Sequence, residues 1–213
     1  MEPKKISKSV LKRLPGYLSY LKSMPESAPA HISATALANA LGMGEVQVRK
    51  DLAMVSDGGR PKIGYLRDAL IDDIEQFLGY DNTTDAVLIG AGKLGQALMA
   101  YKGFDEYGLN IMAAFDRSPK MEKTDEGKPV YSITKLTQFC RTHKVLMGII
   151  TVPAESAQEV ADQLIAGGIK AIWNFAPTHL DVPANSLVQN ENKATSLAVL
   201  SVHLQAQIKE EKK

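Results

Sequence analysis

Asp85-Ala86-Val87-Leu88-Ile89-Gly90-Ala91-Gly92-Lys93-Leu94-Gly95-Gln96-Ala97-Leu98 is the stretch on which the reading of this chain turns. An apolar run, Ala86–Ile89, stops at Gly90, and a helix-compatible segment follows from Gln96 to Tyr101. The order strand, glycine turn, helix fits G-x-G-x-x-G, and each glycine has its own task. Gly90 permits the tight turn, Gly92 lets the backbone come close to a pyrophosphate, and Gly95 lets helix and strand pack closely. The helix then directs its unpaired N–H groups and its dipole at the phosphates. A glycine pattern alone is weak evidence, but this one has its context. A second apolar run, Ile111–Phe115, ends in Asp116, 21 positions after Gly95. That fits the ~20-residue spacing of the acid that holds an adenine ribose. Arg117 reads either as a partner for a 2′-phosphate or, more simply, as a solvated charge.

Working outward, the C-terminal two thirds alternates strands with helices. Strands are expected at Ala86–Ile89, Asn110–Phe115, around Val130, at Val145–Thr151, Lys170–Phe175 and Leu187–Gln189. Helices are expected at Lys93–Tyr101, Ile133–Arg141 and Ala154–Ala166, with a polar loop over Arg117–Lys128. Such alternation implies a doubly wound parallel sheet, which binds ligands at the carboxyl ends of its strands. Thr151-Val152-Pro153 and Asn174-Phe175-Ala176-Pro177 fall at two of those ends. They read equally as pocket lining for a nicotinamide and as turns into the next element. Residues 193–209 form one more helix, with Leu197, Leu200, Leu204 and Ile208 on one face, suited to its own domain or to a partner subunit.

The N-terminal third reads differently. Residues 8–23 carry apolar side chains at helical spacing, with a kink or break expected at Pro15-Gly16. Ser33 is expected to cap a short helix, Ala34–Ala40. The turn Leu41–Gly44 leads to a second helix, Glu45–Met54, which carries Gln47, Arg49, Lys50 and Asp51. Two short helices about a glycine turn make a helix-turn-helix or a plain helical hairpin. Gln47 and Arg49 are types that reach base edges, and Lys50 suits a phosphate. Gly58-Gly59 reads as the turn of a short basic hairpin, with Arg60 and Lys62 placed to reach DNA as a wing. A connecting helix over 67–79 and the polar GYDNTT segment separate this region from the sheet.

Charge supports the division. Residues 1–67 hold 11 Lys/Arg against 5 Asp/Glu, a balance of +6, and residues 68–213 hold 14 against 19, a balance of −5. A basic third joined to an acidic remainder suggests nucleic acid at one end. Cys140 is the only cysteine, so an internal disulfide is excluded and an inert buried thiol is expected. The four histidines are scattered, no metal-ligand cluster is visible, and no apolar stretch approaches the ~20 residues of a membrane span. The N-terminus lacks a secretory signal, which fits a cytoplasmic protein.

Taken together, Gln47-Val48-Arg49-Lys50-Asp51-Leu52, Gly64-Tyr65, Leu88–Gly95, Tyr101-x-Gly103-Phe104, Ala113–Asp116, Val152-Pro153-Ala154 and Asn174–Pro177 resemble the Rex family of bacterial redox-sensing repressors. The resemblance covers nearly the whole chain. It implies an α/β architecture: a winged-helix DNA-binding domain (1–80), a Rossmann domain (81–190) and a C-terminal helix (191–213) exchanged within a homodimer. It implies binding of a palindromic double-stranded operator, relieved by NADH and restored as NAD+ rises, with no enzymatic activity. By position, the cofactor set is Gly90, Ala91, Gly92, Lys93, Leu94, Gly95, Tyr101 (near the nicotinamide), Asp116, Arg117, Thr151, Val152, Pro153, Asn174, Phe175 and Asn192. The DNA set is Ser33, Gln47, Arg49, Lys50, Arg60 and Lys62. Two places depart from the family pattern. Pro61 stands where relatives have an Arg in the wing, and Asn192 stands where they have an Asp near the nicotinamide. The lost charge at 192 implies altered discrimination between NADH and NAD+. Two other readings compete: an NAD-dependent oxidoreductase, for which His179 is the one acid–base candidate in reach, and a coenzyme-A-binding module, which leaves residues 1–65 unexplained.

Overall fold

The computed structural model describes residues 7–191 and 193–211. It divides into two compact units between Asn82 and Thr83.

The first unit contains α1 (Lys8–Ser23), β1 (His31–Ile32), α2 (Ala34–Ala40), α3 (Glu45–Val55), β2 (Tyr65–Leu66) and α4 (Arg67–Leu78). Helix α1 runs unbroken through Pro15, where a kink or a break is expected; no break occurs there. Val10, Leu14, Tyr17, Leu18 and Leu21 are all buried on its inner face. That burial outweighs the ~3 kcal/mol that an interior proline costs. Ser33 caps α2 as expected, its Oγ accepting from the Ala36 N–H at 3.0 Å. Strands β1 and β2 pair antiparallel, His31 with Leu66 and Ile32 with Tyr65. The hairpin before β2 turns at residues 61–63 rather than at Gly58-Gly59. Arg60 and Gly64 exchange both backbone hydrogen bonds at 2.9 Å, and Lys62 takes a left-handed φ of 68°. Proline at 61 presets one corner of that turn, and this overrides the stronger-looking Gly-Gly signal.

The second unit is a six-stranded parallel sheet in the order β5-β4-β3-β6-β7-β8. Its strands are β3 (Thr84–Ile89), β4 (Leu109–Asp116), β5 (Val130–Ser132), β6 (Met147–Ile150), β7 (Ala171–Asn174) and β8 (Leu187–Asn190). Central strand β3 is buried on both faces. Val87 and Ile89 join the core beneath α6 (Leu136–His143) and α7 (Ala154–Ala166), while Ala86 and Leu88 join the core beneath α5 (Lys93–Ala100). Alternating side chains of one strand thus serve both layers. Strand order reverses between β3 and β6, and there the carboxyl ends open a crevice. Cys140 lies within the α6–α7 core, where burial pushes its thiol up to about 11. Helix α8 (Lys193–Glu211) ends the described chain; Leu197, Val199, Leu200, Val202, Leu204 and Ile208 are all exposed along it. No helix among the described residues is long and apolar enough to cross a membrane.

Candidate functional sites in the two units

The crevice at the strand reversal is lined by Gly90, Gly92, Phe115, Asp116, Arg117, Thr151, Val152 and Pro153, and encloses about 570 Å³ open to solvent. Its floor is backbone. Gly90 sits at φ 104°, a region closed to most side chains, and a β-carbon there would press on Thr151 at 2.9–3.1 Å. A β-carbon on Gly95 would run into the Gly90 carbonyl oxygen, so helix and turn touch through backbone. At Gly92, the N-cap of α5, a β-carbon would meet no protein atom within 4 Å. The space above Gly92 is therefore open to a ligand, and the unpaired N–H groups of the first helical turn face that end.

Three strand ends are tied together here. The Asp116 carboxylate accepts from the Ala91 N–H at 2.8 Å and from the Ser118 N–H at 2.9 Å, which fixes the acid beside the turn. The Thr151 hydroxyl donates to the carbonyls of Ile89 and Gly90 at 3.0 and 2.8 Å, latching β6 to β3. That latch has no sequence signature, because its partners are backbone atoms some sixty residues away. Asp116 keeps spare lone pairs for a ribose hydroxyl. Arg117 lines the crevice and pairs with Glu159 of α7 at 2.5 Å, both largely exposed, which favours its reading as a solvated charge.

The remaining expected cofactor residues divide. Leu94 is half-buried in the first turn of α5, and Lys93 lies with Gln96, Asp125 and Glu126 in a separate surface depression. Tyr101 ends α5 and packs edge-on against Phe104 at 4.9 Å, among Leu109, Ile111 and Lys128. That places it toward the amino ends of the strands, and it is absent from the crevice lining of its own chain. Phe175 lines a cleft at the ends of β7 and β8 with Pro177, His179 and Glu191. Asn174 is fully buried. Its amide donates to Thr178 O at 2.9 Å and Asn190 Oδ1 at 2.8 Å and its carbonyl accepts from Ala176 N–H at 3.0 Å, so it shapes the turn and does not line the cleft. Asn192 lies outside the described residues.

In the first unit, α3 exposes Val46, Gln47, Arg49 and Lys50, while Val48 and Leu52 point inward. Arg49 pairs with Glu45 one turn earlier. Arg60 and Lys62 are exposed at the hairpin, and Ser33 is exposed at the start of α2. Asp51 departs from the sequence reading. It is 1 % exposed and gathers four donors: Arg13 Nε and Nη2 at 2.7 and 2.9 Å, the Tyr17 hydroxyl at 2.8 Å and Gln47 Nε2 at 2.8 Å. Burial alone would raise its pKa, but the bonds from Arg13, Tyr17 and Gln47 prevail and hold it below the usual carboxylate value. Burial, then the bond to Asp51, pushes Tyr17 up to about 12. The signal was present in the sequence: Asp51 falls on the Val48–Leu52 stripe, where an acid needs a buried partner. Among the described residues no group of three His, Cys, Asp or Glu side chains could hold a metal.

Comparison with known proteins covers both units. Residues 5–53 match the family described as a putative DNA-binding protein N-terminus, and residues 81–178 match the family described as a CoA binding domain. A redox-sensing transcriptional repressor Rex of Porphyromonas gingivalis is 40 % identical over 197 residues, 92 % of this chain and 90 % of that protein. Among solved structures, RSP in complex with β-NAD+ and operator DNA superposes with a TM-score of 0.88 at 32 % identity, covering 99 % of this chain and 97 % of that one. RSP in complex with β-NADH gives 0.86 at 31 % identity, covering 99 % and 100 %.

Proposed function

The chain belongs to the Rex family of redox-sensing transcriptional repressors, and from that premise we propose how its two units perform the task. It is a repressor that binds operator DNA and senses NAD+ and NADH, and it is not an enzyme. We assign the cofactor to the crevice at the strand reversal: Gly90–Gly95 under the pyrophosphate, Asp116 on the adenine ribose, and Val152 and Pro153 toward the nicotinamide, with Phe175 in the separate cleft at the ends of β7 and β8. The observation that carries this is the pairing of Gly92, open above, with Asp116, tied to Ala91 of the same turn. When bound, the nicotinamide supplies a ring that is cationic when oxidised and neutral when reduced. The family match to a CoA binding domain fits the same turn, but that reading gives no role to the first unit.

Operator contact is assigned to α3 through Gln47, Arg49 and Lys50, with Arg60 and Lys62 on the flanking backbone and Ser33 at the start of α2. We infer a homodimer formed through α8. Its apolar residues lie on two sides, Leu197, Leu200, Leu204 and Ile208 on one and Val199 and Val202 on the other, and all six are exposed. Tyr101, remote from its own crevice, is a residue that such an exchange would offer to a partner. A dimer fits a palindrome, and NADH relieves binding that NAD+ permits. The replacement of an acid by Asn192 predicts a blunted preference between the two cofactor states. Calorimetric titration of both cofactors against Asn192→Asp checks that, an unchanged affinity ratio removing position 192 from ring sensing. A cytoplasmic location follows from this role. The test of the whole reading is a gel shift on a palindromic operator at one stated salt concentration. NADH should release the complex and NAD+ should not; equal behaviour of the two would refute it.

A further inference from the structure

The Gln47 side chain lies on the exposed face of α3, yet one of its ends is committed, because Nε2 donates to Asp51 Oδ1 at 2.8 Å. Asp51 also accepts both Arg13 nitrogens and the Tyr17 hydroxyl, and it is buried. An ionised carboxylate can only accept, so the end of the Gln47 amide that faces it must be the NH₂ and not the carbonyl. A solvent-exposed glutamine ordinarily turns its amide over freely and can offer donors or an acceptor to the same spot. Here the choice is made from below, by a residue that never reaches the surface.

We propose that Asp51, braced by Arg13 and Tyr17, is a positioning residue that fixes the amide of Gln47 so that it reads adenine in the operator. This rests on the assignment of α3 to the operator given above. One amide hydrogen is spent on Asp51. What remains for a base is the carbonyl oxygen and the second hydrogen, the acceptor-plus-donor pair that adenine N6 and N7 require. Guanine offers two acceptors on the same edge, N7 and O6. An unpinned glutamine can turn its NH₂ toward them, whereas the pinned one sets its carbonyl oxygen against O6. Charge repulsion between two lone-pair atoms then rejects guanine. Discrimination at that base pair would come from the network as well as from Gln47 itself.

The experiment uses the full chain and a duplex selected by the wild-type protein from a random library. Affinities are measured by fluorescence anisotropy for all four base pairs at each half-site position, and for a random duplex. Gln47→Ala should flatten an A·T preference at one position by roughly tenfold. Asp51→Asn, whose amide can present either end to Gln47, should flatten the same position by a similar factor and leave the random duplex within about twofold. A purely structural role for Asp51 would weaken every duplex alike. Wild-type preference retained in Asp51→Asn overturns the proposal, as does a preference for G·C at the position that Gln47 controls. A Gln47→Ala variant that alters no position overturns the base-reading assignment itself, which separates that failure from the first. If Asp51→Asn does not fold, the two side-chain amide protons of Gln47 are followed by NMR in wild type and Tyr17→Phe. Slow solvent exchange in wild type, accelerated in Tyr17→Phe, supports the pinned amide, and exchange at the rate of a free glutamine contradicts it.

Discussion

On the surface of α3 the groups proposed to meet DNA are side chains, and one of them, Gln47, is bonded to a buried ion pair. At the end of β3 the groups offered to a ligand are backbone amides, and it is the lack of side chains that makes them reachable. Asp51 holds Arg13, Tyr17 and Gln47 at 2.7–2.9 Å, so a buried charge of the first unit is tied to its exposed face through Gln47. Gly90, Gly92 and Gly95 leave three different spaces, one filled by Thr151, one by the Gly90 carbonyl, and one left open. The first kind of site is expected to change specificity with single substitutions. In the second, an added side chain is expected to act differently at each glycine, against protein at Gly90 and Gly95 and against the ligand at Gly92.

The largest expected effect breaks the first arrangement. Asp51→Ala leaves Arg13 and Tyr17 without their partner and should cost about 3–5 kcal/mol in the first unit. Denaturation followed separately in the two units should show that transition moving while the sheet holds its own. The same network sets a pH dependence. The Asp51 carboxyl is lowered in the folded state, so its stabilisation is present above the unfolded value near 4 and is lost as pH falls through the folded one. The Tyr17 phenol is raised from 10.0 to about 12, so its contribution is complete below pH 10 and is lost between about 10 and 12. Tyr17→Phe should remove the alkaline limb and leave an acid limb from Asp51.

Gly95→Ala comes next. The added carbon meets the Gly90 carbonyl oxygen, and backbone cannot step aside, so the second unit should lose about 1–3 kcal/mol, readable in its melting curve. Gly92→Ala sharpens the contrast, because the added methyl meets nothing within 4 Å of the protein. Its stability should change by less than about 1 kcal/mol while cofactor affinity falls about tenfold or more, measured by calorimetry. A Gly92 variant that binds the cofactor as wild type does would move the pyrophosphate elsewhere.

The second unit was the more legible in sequence. Apolar runs that alternate with helical periods mark β3, β4, β6 and β7, and the glycine turn and its acid read from spacing alone, because both are local patterns. What escaped is long-range or conformational. Asp51 and Arg13 are 38 residues apart, and only packing brings them together. The Thr151 latch uses carbonyls, which every residue has. Pro15 sits inside a helix because five buried side chains outweigh its local cost. The hairpin turns at Pro61–Ile63 although Lys62 must adopt a positive φ, a choice that propensity disfavours. Asn174 looked like pocket lining because it stands at a strand end, and its inward direction is set by Thr178 and Asn190.

The smallest effect expected concerns that same turn. Lys62→Gly should relieve the left-handed strain and stabilise the first unit by about 1 kcal/mol. It should also reduce the salt dependence of operator binding if the ammonium meets a phosphate, by about one unit of slope per half-site. A faster-melting variant would place Lys62 in contacts that outweigh its strain.

The basic face and the glycine crevice are proposed to serve one coupled function. Linkage requires that whatever factor NADH removes from operator affinity, operator must remove from NADH affinity. The direct measurement is the dissociation constant of NADH, by calorimetry, for the free protein and for the protein saturated with its operator, at one ionic strength. NADH should bind more weakly on the operator, by the factor found in the reverse experiment. The same NADH affinity in both states would contradict it.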